Sequence, residues 1–183
     1  MADMTEPLKG AAPYINEHLR HYIDSDGSDT AVYQDHTALG GLDRTMHLVL
    51  RTTGRKSGQP RLAPLICKEV NGDYIVIASK MGDDAHPLWF VNMQAGGEVA
   101  AQAGSKRFRC KWRAAEGEER RGLWGAMEAD YPPYADYRAA TSREIPVVVL
   151  TPAGEIAERF ELNPGDGVNG GVAALNSGVE RIR

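Results

Sequence analysis

Arg55, Lys56 and Arg61 fall close together in the run Thr52-Thr53-Gly54-Arg55-Lys56-Ser57-Gly58-Gln59-Pro60-Arg61, bracketed by Gly54 and Gly58. These are residues for holding an anion. The glycines permit backbone conformations that a Cβ penalises, and successive amide N–H groups in such a turn converge on a phosphate. No acidic residue lies between Arg51 and Lys68, so nothing nearby in sequence competes for the cations. A solvated hairpin turn rich in Lys and Arg has the same composition, and spacing alone leaves both readings open. A Walker A loop is excluded. That motif needs four residues between its glycines, then Lys-Ser/Thr and a helix, whereas here three residues intervene and Pro60 leads toward another strand.

Other residues with chemical potential are less marked. Tyr131, Tyr134 and Tyr137 recur every three positions, which puts the last two on one side of a short helix; a phenol offers a flat apolar face and a polar tip, but such spacing also suits plain packing. Trp89 reads as a core residue more readily than as a ligand contact, and Ser79-Lys80 as an ordinary strand end. His86 has no role in the pattern, and His18 with His21 reads as a chance pair on a polar helix face. Asp166 sits in Gly-Asp-Gly without the spaced carboxylates of a calcium loop, so no metal site is expected. Cys67 and Cys110 form no metal-ligand pattern and read as reduced core residues of a cytosolic chain.

The elements that position these residues follow from periodicity. Ile15, Leu19, Tyr22 and Ile23 share one arc of a helix over Pro13 to Asp24, with Asn16, Glu17, Arg20, His21 and Asp24 on the other. Asp24 to Gly41 reads as a long loop. Thr45 to Thr52 and Arg61 to Val70 flank the basic turn as a hairpin, and Asn71-Gly72 turns into a strand from Tyr74 to Ala78. A short helix is expected over Asp84 to Gln94, with Pro87 in its first turn. Val99 to Ala103 and Ser105 to Arg113 form a strand pair, in which Phe108, Cys110 and Trp112 alternate with Arg107, Arg109, Lys111 and Arg113. The basic face so formed admits a solvated surface, a track for an anionic ligand tail or contact with acidic lipid headgroups. Helices over Glu118 to Ala129 and Pro133 to Ala140 precede a last strand, Pro146 to Leu150. Strands interrupted by helices without regular βαβ alternation indicate an antiparallel α+β barrel.

At 183 residues the chain suits one domain with a substantial core. A net charge of −4 excludes a generally basic nucleic-acid binder. No run has the length of a membrane span, and Met1 to Leu8 lacks the apolar core of a signal peptide, so a cytoplasmic location is expected. The segment Asn163 to Ser177, rich in glycine, is expected to be mobile or draped over the surface.

Five ordered motifs carry a family resemblance: Thr53 to Arg61; Ala78-Ser79-Lys80-Met81-Gly82; His86-Pro87-Leu88-Trp89-Phe90-Val91-Asn92; Tyr131-Pro132-Pro133-Tyr134-Ala135-Asp136-Tyr137; and Ile145-Pro146-Val147-Val148-Val149. Over about residues 44 to 152 the chain resembles the deazaflavin-dependent nitroreductases and quinone reductases of actinobacteria. The resemblance implies a split β-barrel with flanking helices, akin to the flavin-binding pyridoxamine-oxidase barrels, and coenzyme F-420, an 8-hydroxy-5-deazaflavin, as cofactor. It implies three segments: an N-terminal helix and loop at 1–41, the cofactor-binding barrel at 42–152 and an extension at 153–183.

By carry-over, Gly54, Arg55, Lys56, Ser57, Gly58, Gln59 and Arg61 would grip the phosphodiester and acidic tail of the cofactor. Pro64 and Leu65 would pass along the deazaflavin, with Ala78, Ser79 and Lys80 lining the ring and Leu88, Trp89 and Asn92 closing the other wall. Leu88 stands where the family often has Met. The implied reaction is hydride transfer from the reduced cofactor to a quinone, an activated enone or lactone, or a nitroaromatic, with Tyr131, Tyr134, Tyr137 and Ser79 around the acceptor. An FMN-binding barrel and a non-catalytic deazaflavin carrier are the alternatives; the chain is expected to be a monomer or dimer, with peripheral contact to an acidic membrane as one option.

Overall fold

A computed structural model describes residues 6–163 and 166, so the glycine-rich tail expected at 163–177 lies almost wholly outside the described residues. Six strands form the scaffold: β2 (Thr45–Thr53), β3 (Pro60–Val70), β4 (Asp73–Ile77), β5 (Ala100–Ala103), β6 (Lys106–Ala114) and β7 (Val147–Glu155). They pair antiparallel in the order β2-β3-β4-β7-β6-β5, and β5 pairs back onto β2, closing a barrel. The expected β2–β3 hairpin and the Asn71-Gly72 turn are both present, the latter with φ of 52° and 86°.

Side-chain alternation sorts the core into three clusters. Leu48, Leu50, Cys67, Tyr74, Val76, Ala78, Phe108, Val148 and Leu150 fill the barrel interior, where α3 (Leu88–Ala95) adds Phe90 and Met93. The intervening residues face out. Val49, Leu62 and Ala100 are covered by Leu19, Tyr22 and Ile23 of α1 (Glu6–Asp24), while Ile75, Ile77, Val147 and Val149 lie under α4 (Gly117–Asp130) and α5 (Pro133–Ala140).

Three expectations need correction. The segment from Asp24 to Gly41 is structured: α2 (Asp29–Val32), β1 (Tyr33–Gln34), which extends the β2 edge, and a 3₁₀ turn at Thr37–Leu39. Elements of two to four residues are too short to show a period. The helix expected from Asp84 begins at Leu88, because Pro87 biases His86 toward extended backbone and itself becomes the N-cap. The last strand continues through Pro152 to Glu155; beyond Leu150 it pairs only with β6, and an edge tolerates proline. In the basic face of β6, Arg107 pairs with Asp26, Arg109 with Glu98 and Arg113 with Glu119, leaving Lys111 without an ion pair among the described residues. That face is therefore largely neutralised. No helix among the described residues is long and apolar enough to cross a membrane.

Candidate functional site

The basic turn closes the β2–β3 hairpin. Gly54 N–H donates to Gln59 O (2.8 Å) and Gly58 N–H to Gly54 O (2.7 Å), with Gly58 at φ +69°. A Cβ at Gly54 would stand 2.6 Å from Ser57 Oγ and 3.2 Å from Gln59 O, so a larger residue would push Ser57 out of its place in the turn. Ser57 Oγ accepts from Gln59 N–H and from Arg61 Nη2 (3.3 Å), which aims Arg61 back at the turn. Arg55 and Lys56 are exposed and make no ion pair, and the N–H groups of Lys56 and Ser57 have no acceptor among the described residues.

Asn92 fixes this turn to the barrel. Its buried amide accepts from Arg55 N–H (3.2 Å) and donates to Thr52 Oγ1 (3.4 Å), linking α3 to the end of β2 and to the turn that follows it. On the same helix, Trp89 packs against the interior cluster and Leu88, 68% exposed, projects from the first turn.

β3 pairs with β4 only from Cys67 to Val70, so its Pro60 to Ile66 stretch has a strand partner on one side alone. This open edge is the split of the barrel. Pro64 falls on it at the same parity as Leu62, whose N–H points away from β2, so the missing N–H of Pro64 costs no ladder bond. Opposite, β4 runs out into Ala78, Ser79 and the 3₁₀ turn Lys80–Gly82. Lys80, Met81 and Gly82 have successive φ of 45°, 54° and 83°, a left-handed path rare for residues with a Cβ. Gly82 is pressed against α5, where a Cβ would meet Tyr137 O at 2.8 Å.

The three tyrosines meet: ring centroids are 5.1 Å apart for Tyr131 and Tyr134, 6.0 Å for Tyr134 and Tyr137, and 6.2 Å for Tyr131 and Tyr137. The hydroxyls of Tyr131 and Tyr137 share a hydrogen bond (3.2 Å). Tyr134 is buried in the cluster under α5, and its hydroxyl makes no hydrogen bond among the described residues. Burial holds its pKa well above the usual phenol value, so the hydroxyl stays protonated, a free donor that does not act as an acid.

Several groups beside the site escaped the sequence. His18, read as a polar-face residue, is buried and stacks edge-on against His47 (4.8 Å), with its Nε2 2.7 Å from Ala31 O. His36 Nε2 lies 3.3 Å from His47 Nε2, and its ring contacts Tyr131 (5.4 Å). Burial lowers the pKa of all three, that of His47 to about 3. Asp166 is fully buried: its carboxylate accepts from Leu62 N–H (2.9 Å) on the open edge and from Asn163 N–H (2.6 Å). Ile156 and Phe160 of the same extension pack against α1, and Arg51 lies over the Phe160 ring. Lone histidines scattered over three elements carry no spacing signal. The Gly-Asp-Gly motif was visible, but its role depends on a partner 104 positions away.

The structure thus gathers the turn with Asn92, and the Ser79–Gly82 loop with the tyrosine helix. The sequence profile of a family described as F420H(2)-dependent quinone reductase matches residues 28–152. The F420H(2)-dependent quinone reductase Rv1261c of Mycobacterium tuberculosis is 37% identical over 107 residues, 57% of this chain and 72% of the relative. A putative F420H(2)-dependent quinone reductase of the same species, Rv3178, is 32% identical over 105 residues, covering 57% and 88%. Among solved structures, an F420-H2 dependent reductase (FDR-A) superposes with TM-score 0.53 at 43% identity, over 57% of this chain and 92% of that one. Another, described as a domain-swapped dimer, gives 0.55 at 35% identity over 75% and 97%. With its split barrel and a profile match over more than half its length, the chain belongs to the F420H(2)-dependent quinone reductase family, oxidoreductases that use coenzyme F-420.

Proposed function

We propose that this chain binds coenzyme F-420 in the split between β3 and the Ser79–Gly82 loop, using the barrel at 42–152, and reduces a quinone. The observation that carries the reading is the turn at 54–59, held in place by Asn92: among the described residues, two of its cations have no ion pair and two of its amide N–H groups have no acceptor. That donor set fits a phosphodiester. Arg55 supplies a planar fork and Lys56 a point charge, and Arg61 is already turned inward by Ser57. Pro64 and Leu65 offer an edge without N–H competition, and Leu88 with Trp89 an apolar wall.

Bound in reduced form, the cofactor supplies a hydride equivalent. The protein supplies position and a donor for the acceptor oxygen. Tyr134 and Ser79 are assigned that role, since neither side chain is engaged in a hydrogen bond among the described residues, and Tyr131 and Tyr137 form the apolar faces around it. Nitroaromatics and activated enones are further acceptors that the same donors would serve. The test is anaerobic oxidation of reduced F-420 with menadione, a nitroaromatic and an enone supplied in turn. Turnover with the quinone supports the proposal; binding without turnover for any acceptor indicates a carrier.

A further inference from the structure

Arg143 lies outside the proposed groove, yet its guanidinium touches the connection between β4 and α3 four times. Nη2 donates to the carbonyl oxygens of Ala78 (3.1 Å) and Ser79 (2.8 Å), Nε donates to Asp83 O (2.7 Å), and Nη1 lies 3.1 Å from His86 Nδ1. These contacts bracket the left-handed stretch at Lys80, Met81 and Gly82. Its own segment is braced as well: Thr141 Oγ1 accepts from Arg143 N–H and donates to Asp84.

The consequence follows from peptide geometry. In a trans peptide the C=O and the following N–H point to opposite sides, and no cis bond occurs in the described chain. With the carbonyls of Ala78 and Ser79 turned toward Arg143, the N–H groups of Ser79 and Lys80 turn away from it, and neither has an acceptor among the described residues. We propose that Arg143 is the positioning residue of the groove, holding two carbonyls at its back so that the amides of Ser79 and Lys80 face the carbonyl-bearing edge of the deazaflavin ring. This rests on the F-420 reading above. A guanidinium behind the peptide groups also polarises them, strengthening the N–H donors on the far side. Lysine cannot span the same three carbonyls, because an ammonium is a point charge without the planar fork.

The experiment compares Arg143→Ala and Arg143→Lys with the wild type by titration with oxidised F-420 at several salt concentrations. Amide resonances of Ser79 and Lys80 are recorded without cofactor. Losing two oriented hydrogen bonds is expected to weaken binding roughly tenfold in Arg143→Ala, with Arg143→Lys between. The slope of affinity against salt should be unchanged, because Arg55 and Lys56 are intact. Millimolar guanidinium, but not sodium at equal ionic strength, should restore part of the affinity. If Arg143→Ala does not fold, Arg143→Lys carries the same comparison. Wild-type affinity in a folded variant, or a loss that flattens the salt slope and resists guanidinium, overturns the proposal. If the wild type binds no deazaflavin, the F-420 reading fails separately; amide resonances that move in Arg143→Ala then support the positioning role, and unmoved ones refute it.

Discussion

Acidification should unlock the N-terminal helix from the barrel. His18, His36 and His47 are buried as neutral rings at the junction of α1, the 33–42 segment and β2, and burial lowers each pKa, with His47 at about 3. The folded state thus binds fewer protons than the unfolded chain below the ordinary histidine value near 6.5. Stability is fully present above that pH and is lost as pH falls from about 6.5 toward about 3. Linkage for His47 alone gives about 2 kcal/mol lost between pH 7 and pH 5, and His18 and His36 act in the same direction. Asp166 opposes the trend, since burial raises its pKa. Carboxylates held low by partners, such as Glu98 beside Arg109 and Arg51, lose their contribution only at lower pH, so between pH 7 and pH 5 the net loss comes from the histidines. Urea unfolding at pH 7 and pH 5 measures the difference, and His47→Gln should remove most of it. Equal stability at the two pH values, or an undiminished loss in His47→Gln, would refute the reasoning.

Four other outcomes are expected. Arg55→Ala with Lys56→Ala should weaken F-420 binding by about 3 kcal/mol, near a hundredfold, from two charge-assisted contacts at the low end of their range because both side chains are exposed; a threefold change or less in a fluorescence titration would remove the turn assignment. Gly82→Ala should cost about 2–4 kcal/mol, because φ is +83° and the new Cβ would meet Tyr137 O at 2.8 Å, as read from the urea midpoint. Asp166→Ala should cost about 1–2 kcal/mol and speed hydrogen exchange at the Leu62 amide; unchanged exchange there would show that the extension does not hold the open edge. Tyr134→Phe should lower quinone turnover about tenfold, in the range of one lost stabilising hydrogen bond, while leaving cofactor affinity as it was.

The barrel was legible because its strands carry strong period-two patterns and are joined by turns with their own chemistry, Asn71-Gly72 above all. The basic turn was legible for the same reason: glycine positions and cations without nearby acids lie within one short stretch. What escaped depends on distant partners. The β6 cations look free in sequence, and only the fold brings Asp26, Glu98 and Glu119 to them. Arg143 belongs to no periodic element, and its worth comes from carbonyls some sixty positions earlier. The buried histidines form a cluster only after three separate elements have packed. The tyrosine spacing put Tyr134 and Tyr137 on one side of a helix, but it did not show that Tyr131 would pack against both or that Tyr134 would carry the unengaged hydroxyl.

The most direct test of the central claim is a titration of the purified protein with oxidised coenzyme F-420 and, separately, with FMN, each followed by fluorescence at low and raised salt. The turn with its unpaired Arg55 and Lys56 calls for tight F-420 binding that weakens with salt, and for much weaker FMN binding. Preferential binding of FMN, or binding of neither, would contradict the cofactor assignment while leaving the barrel intact.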